Sequence, residues 1–143
     1  MKISSKGRYG LAVLASMAKH EGVGKLVSVV SLSERLEISK IYLEQVFAIL
    51  KRSGMVASVK GSGGGYYLAK QPKEITALDV LSATESAMFE KAEATVSKRD
   101  ETLELSINRN VFNALDRAIE DVLSGITIED IVNRPGEGHM YYL

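Results

Sequence analysis

The sequence predicts a mainly α fold with one small β-hairpin. Three observations carry this reading. Two short, apolar-striped helices meet at a tight turn within residues 28–52. A glycine-rich loop, Gly61-Ser62-Gly63-Gly64-Gly65, then separates two strand-like runs. Finally, residues 98–124 keep helical apolar spacing without a break. The 143 residues, 45% of them apolar and 25% charged, suffice for one compact domain or a small domain with an appended helix, at roughly 100–200 residues per domain.

The first helix is expected over residues 5–19, where Leu11, Leu14, Ala15 and Ala18 repeat at helical spacing and Gly22 and Gly24 end the pattern. Lys2, Lys6 and Arg8 crowd its start. Cations there oppose the helix dipole, a conflict that a bound polyanion would relieve. A second helix spans Ser28 to Glu37, starting at either Ser28 or Ser31, since Ser31 and Glu34 stand at capping-box spacing. Ile38 falls in the connection. Ser39 caps a third helix over 40–52 with Leu43, Val46, Phe47 and Leu50 on its inner face. Two short helices joined this tightly suggest a helix-turn-helix. Met55–Lys60 and Tyr66–Lys70 then read as paired strands, and the glycines between them tolerate positive φ. A hairpin directly after a helix-turn-helix makes a winged helix. The loop is not a nucleotide cradle: no Gly-Lys-Ser/Thr occurs, and Tyr66 stands where a dinucleotide fingerprint needs its third glycine.

Past Pro72, Thr76 and Asp79 form a capping box for a helix over 77–87, with Val80, Leu81 and Ala83 apolar. Residues 88–96 are weakly patterned and read as a loop. Ser97, with Asp100 three residues on, opens the longest helix, 98–124. One stripe on it is Leu103, Ile107, Val111, Leu115, Ala118 and Val122; Leu105, Phe112, Ile119 and Leu123 widen the apolar face. So broad a face must be buried, and packing against the same helix of a second subunit is favoured over packing on its own domain. The expected dimerisation residues are Leu103, Ile107, Val111, Phe112, Leu115, Ile119 and Val122. Gly125 stops the helix, Thr127 with Asp130 caps a last short one, and the tail from Pro135 is expected to be mobile up to its aromatic end. The organisation read from these signals is a winged helix-turn-helix over 1–75, a linker helix and long dimerisation helix over 76–124, and a short helix with a tail over 125–143.

Charge divides the chain. Residues 1–70 hold eleven Lys/Arg against four Asp/Glu, a balance of +7, while residues 71–143 hold seven against fourteen, a balance of −7. Such asymmetry marks a basic half suited to nucleic acid or a membrane surface, or else charges that merely solvate separate faces. With zero cysteines the chain has no disulfide, no thiolate cluster ligands and no cysteine nucleophile. His20 and His139 are too far apart for a local metal motif. No Gly-x-Ser-x-Gly elbow or phosphate loop is present, so an enzyme is not expected, nor is a cofactor. The first residues lack a signal-like apolar region and no apolar run approaches the ~18 residues of a span, so a cytoplasmic location off the membrane is expected.

Specific residues go further. Met1–Gly10, Ile38-Ser39 with Tyr42-Leu43-Glu44-Gln45, Gly61–Tyr66, and Ile75-Thr76-Ala77-Leu78-Asp79 resemble, in order, segments of the Rrf-type winged-helix regulators, the family of IscR, NsrR and CymR. The resemblance is dense over 1–85 and architectural in the long helix. It implies a homodimeric bacterial transcription factor, a repressor, whose two winged domains read a pseudo-palindromic operator in double-stranded DNA. Carried over residue by residue, it places Ser39, Glu44 and Gln45 at base edges in the major groove, where Gln pairs with adenine and Glu accepts from the cytosine amino group. It places Lys60 in the minor groove with the wing residues Ser62, Gly63 and Gly64. Arg8, Tyr9, Lys40 and Lys51 fall at phosphates, and Tyr42 on the same surface. The bland alternatives are a Lys40–Glu44 surface pair and purely structural roles for Tyr42 and Tyr66. Ile41 departs from the small polar residue of some relatives.

Cluster-binding members carry three cysteines between the helix near Thr76 and the long helix. Here Ala87–Val96 has none, and iron–sulfur ligation needs thiolates. The resemblance therefore points to the cysteine-metabolism branch, whose repressor acts with cysteine synthase. The ending Tyr141-Tyr142-Leu143 resembles that branch's terminus, and capture of a terminal carboxylate is a known recognition mode. Two further readings stay open. One is an effector-gated regulator with a small-molecule pocket near Val80, Leu81, Met88 and Phe89. The other is an adaptor that binds a partner through residues 125–143.

Overall fold

The computed structural model describes residues 2–90, 96 and 99–134. Its elements are α1 (Ser5–His20), α2 (Val29–Leu36), α3 (Lys40–Arg52), β1 (Val56–Val59), β2 (Gly65–Leu68), α4 (Ala77–Thr84), α5 (Glu101–Ile107), α6 (Asn113–Ser124) and α7 (Ile128–Asn133). Short 3-10 turns occupy Pro72–Glu74 and Ser86–Phe89, and a π-helical turn occupies Asn108–Phe112. Among the described residues the fold is mainly α with one antiparallel hairpin, as the sequence predicts.

Helix starts follow cap chemistry. Ser28, not Ser31, opens α2: its Oγ accepts from the Ser31 N–H at 3.1 Å. Ser39 opens α3 by accepting from the Tyr42 N–H at 3.2 Å. The turn between them contains no glycine. Glu37 takes the left-handed conformation (φ 54°), Ile38 drops its side chain into the core, and Ser33 Oγ donates to the Ile38 carbonyl at 2.6 Å. Thr76–Asp79 and Thr127–Asp130 form the two expected capping boxes.

β1 pairs with β2 in the register Val56↔Leu68 to Val59↔Gly65. The other edge of β2 is covered by the loop after α1. Val27 and Tyr66 exchange both backbone hydrogen bonds at 2.9 Å, and the Gly24 N–H donates to the Leu68 carbonyl. The hairpin is thereby fixed to the helices rather than left as a free ribbon. One core joins Leu14 and Met17 of α1, Leu32 of α2, Leu43, Phe47 and Leu50 of α3, Leu68 of β2 and Ile75, all with no exposed surface. Each such side chain contributes about 1.5–3 kcal/mol. Tyr66 stacks on Phe47 with centroids 4.0 Å apart and is half-buried.

Four expectations need correction. The helix expected over 77–87 ends at Thr84 and passes into a 3-10 turn. The longest helix begins at Glu101, because Asp100 is its cap and accepts from the Leu103 N–H at 2.9 Å; Ser97 lies outside the described residues. That helix is not uniform: the Asn113 N–H donates to the Asn108 carbonyl, five residues back, so the apolar stripe changes register midway. The dipole conflict at α1 is met from within the chain, since the Ser4 N–H donates to the Glu85 carboxylate at the end of α4. Gly7 permits this close approach. A Cβ there would lie 2.8 Å from both Glu85 Oε1 and Ile3 Cγ2.

α7 packs back against α1 and the turn at Pro72–Glu74. Ile128 has no exposed surface and belongs to the same core as Leu14 and Met17, and the Ile128 N–H donates to the Ile75 carbonyl at 2.9 Å. The tail residues Tyr141, Tyr142 and Leu143, and the stretch 91–95, lie outside the described residues. No helix among the described residues is long and apolar enough to cross a membrane.

Candidate nucleic-acid interface

α3 buries Leu43, Val46, Phe47 and Leu50, and so turns Lys40, Glu44 and Lys51 outward along one ridge. The hairpin stands beside that ridge. Between them runs an open groove of about 520 Å³, lined by Lys40, Glu44 and Lys51 of α3, by Lys60, Ser62 and Gly64 of the wing, and by Ser28 and Val30 at the start of α2. Six of the twelve residues expected at DNA thus share one concave surface. Three of them are lysines, at the ridge and the wing.

The others divide. Gln45 is exposed on α3, one residue beyond Glu44 and outside the groove lining. Gly63 is exposed at the wing tip, with nothing within 4 Å of the place a Cβ would take. Arg8 is exposed on α1. Ser39 is exposed, but its Oγ is already engaged as the α3 cap. Tyr9 and Tyr42 are half-buried and pack edge to face, centroids 5.2 Å apart, which ties α1 to the first turn of α3. Among the described residues the ion pairs are Arg35–Glu21 at 2.9 Å and Arg134–Asp130 at 2.8 Å. Glu44 is in neither, so the surface pair with Lys40 is not made and its carboxylate faces the groove.

Beyond the expected residues the lining also holds Ser28, Val29, Val30, Ser58, Val59, Gly61, Gly65 and Tyr66. Ser28 was visible as a cap. Val30 and Ser58 enter only because the hairpin is pinned against α2 by the Val27–Tyr66 bonds, a long-range pairing that no local pattern announces.

A family model described as "Rrf2: Iron-dependent Transcriptional regulator" matches residues 3–134. The chain belongs to the Rrf2 family. It is 33% identical to the HTH-type transcriptional regulator CymR of Bacillus subtilis (strain 168) over the whole length of both chains. It is 37% identical to IscR of Pectobacterium atrosepticum over 136 residues, 93% of this chain and 80% of that one. Among solved structures, that of the "Global Cysteine Regulator" CymR of B. subtilis superposes with a TM-score of 0.71 at 32% identity, covering 93% and 97% of the two chains. T. potens IscR gives 0.69 at 34% identity, covering 99% and 97%. This Rrf2 protein is therefore a DNA-binding, winged-helix transcriptional regulator of the IscR and CymR kind, and not an enzyme.

The remaining expected site is the long-helix face. Leu103, Val111, Phe112, Leu115 and Val122 are exposed, each by 47% or more, while Ile107 and Ile119 are half-buried. Ile119, Ala118, Val122 and Leu123 also line an apolar cavity of about 300 Å³ against Ile3, Leu81 and Met88. Of the four residues expected at a pocket, Leu81 and Met88 line it, Val80 is in the core, and Phe89 is half-buried outside it.

Proposed function

We propose that this Rrf2 protein is a homodimeric, cytoplasmic repressor that reads a pseudo-palindromic operator, with α3 in the major groove and the wing in the minor groove. The observation that carries the reading is the single groove in which Lys40, Lys51 and Lys60 flank Glu44. Lysines along a groove neutralise phosphates and set register, while Glu44 and the neighbouring Gln45 carry base-edge chemistry. Residues 1–75, joined in one core by Ile128 of α7, form the reading unit, and 76–124 the dimerising unit. The exposed Leu103, Val111, Phe112, Leu115 and Val122 form the apolar surface on which a second copy packs.

The family description says iron-dependent, but the donors present do not fit a cluster. The chain has no cysteine, and the described residues contain no group of three His, Cys, Asp or Glu side chains able to hold a metal ion. Signalling without a cluster, and control of sulfur metabolism, is supported by the full-length match to CymR. On that reading Tyr141, Tyr142 and Leu143 engage cysteine synthase. Deleting them abolishes capture of that enzyme if they are the anchor and leaves it unchanged if they are not.

The deciding experiment is selection of sites from a randomised duplex pool at two salt concentrations. A two-fold symmetric site, bound more weakly at high salt, is expected. Failure to enrich any site would overturn the reading. A second reading, an effector-gated regulator, is favoured by the wholly apolar cavity between α4 and α6. It predicts that an apolar small molecule raises the melting temperature and that Ile119→Trp, which fills the cavity, removes the effect.

A further inference from the structure

Ile41 is 72% exposed, more than any other large apolar side chain among the described residues. A single exposed apolar residue is ordinary on a protein surface; its place here is not. Ile41, Gln45, Ala48 and Arg52 are all exposed and form the ridge of α3 directly opposite the buried Leu43, Val46, Phe47 and Leu50. Ile41 sits in the first turn of that ridge, the part of a recognition helix that meets base edges. Lys40 and Glu44 stand on its wing side, and Gln45 follows one turn along.

The chemistry of the side chain narrows what it can read. Isoleucine has no donor or acceptor, so in the major groove the one base-edge feature it can recognise is the 5-methyl group of thymine. Against guanine or cytosine it would cover polar atoms and offer no hydrogen bond in return. A β-branched residue in a helix is held largely in one χ1 rotamer, so docking orders little that is not already fixed. Ala48, further along the ridge, is small and leaves the duplex free to approach.

We propose that Ile41 is a specificity-determining residue that selects a thymine in each half-site by packing on its 5-methyl group, next to the base read by Gln45. This rests on the DNA-binding reading above. The test uses the full chain and the duplex recovered by site selection, with each thymine replaced singly by deoxyuridine, which removes the methyl and keeps every hydrogen-bonding group. One thymine position per half-site is expected to weaken binding about fourfold when demethylated. In Ile41→Ala, whose melting temperature should match the wild type, that loss should vanish and the thymine and uracil duplexes should bind alike. Tolerance of deoxyuridine at every position overturns the proposal, as does a uracil penalty that persists undiminished in Ile41→Ala. Failure of site selection to enrich any duplex overturns the operator reading itself, and so the two failures are told apart.

Discussion

At Gly65 an added Cβ would stand 2.3 Å from the Val27 carbonyl oxygen, and at Gly64 2.0 Å from that of Val59; at Gly63 it would meet nothing within 4 Å. These three neighbours, alike in the sequence, therefore separate by what surrounds them. Gly65→Ala should push β2 off the loop that pins the hairpin and cost about 1–3 kcal/mol in urea denaturation, whereas Gly63→Ala should leave the denaturation midpoint close to the wild type. Equal effects at the two positions would show that the wing is not held by this contact. Asp130 gives a second residue-level expectation. Its carboxylate lies below its ordinary pKa of 3.8, first because the Thr127 backbone N–H donates to it, against an opposing cost of desolvation, with the Thr127 hydroxyl and the Arg134 guanidinium adding to the lowering. A depressed carboxyl pKa means the capping box stabilises fully above the ordinary value and fades as pH falls through the lowered one. The stability gap between wild type and Asp130→Asn should then be widest near neutral pH and close below pH 3.8 in thermal melts across that range. A gap constant with pH would place the cost of the substitution elsewhere.

The elements differ in how far local pattern reaches. α1, α2, α3 and the hairpin were legible because each is bounded by its own signal: Ser28 and Ser39 as caps, the two glycines after α1, and a change of period at Met55. The groove lysines were legible from the same elements. Three features were not, and each depends on a partner distant in the chain or on a departure from 3.6 residues per turn. Glu85 reaches back to Ser4, Ile128 pairs with Ile75, and the π turn at Asn108–Phe112 shifts a stripe that periodicity reads as straight. The return of α7 has a measurable consequence. Ile128→Ala should destabilise the whole chain by about 2–5 kcal/mol, with loss of the hairpin's protection from hydrogen exchange, because the residue lies in the shared core. An effect confined to the amides of α7 would mark that helix as an independent appendage. The long helix yields the opposite pattern. Leu115→Asp places a charge on an exposed apolar face, so light scattering should report a monomer while the helical circular dichroism is unchanged. A variant that stays dimeric would move the interface off this face.

For the molecule as a whole, a formal charge of zero conceals a half with +7 and a half with −7, and only the arrangement matters to a polyanion. If DNA meets the groove and α1 alone, the salt dependence of binding counts phosphate contacts and ignores net charge, because each neutralised phosphate releases condensed counterions. Arg8, Lys40, Lys51 and Lys60 in each of two subunits would give a plot of log K against log salt with a slope of about −7. In a dimer Lys40→Ala enters both half-sites, so it should flatten that slope by about two and weaken all operator sequences alike. In a monomer bound to one half-site the change would be about one, so the same measurement reports how many copies contact the duplex. Glu44→Ala should act differently, leaving the slope in place and relaxing preference at one base pair per half-site. Neutralising Glu120 on the exposed side of α6 should change neither quantity, since it lies in the acidic half and is not part of the groove lining. Were Glu120→Gln to steepen the slope as much as Lys40→Ala flattens it, the net field rather than the groove would govern binding, and the assignment of the lysines to phosphates would fail.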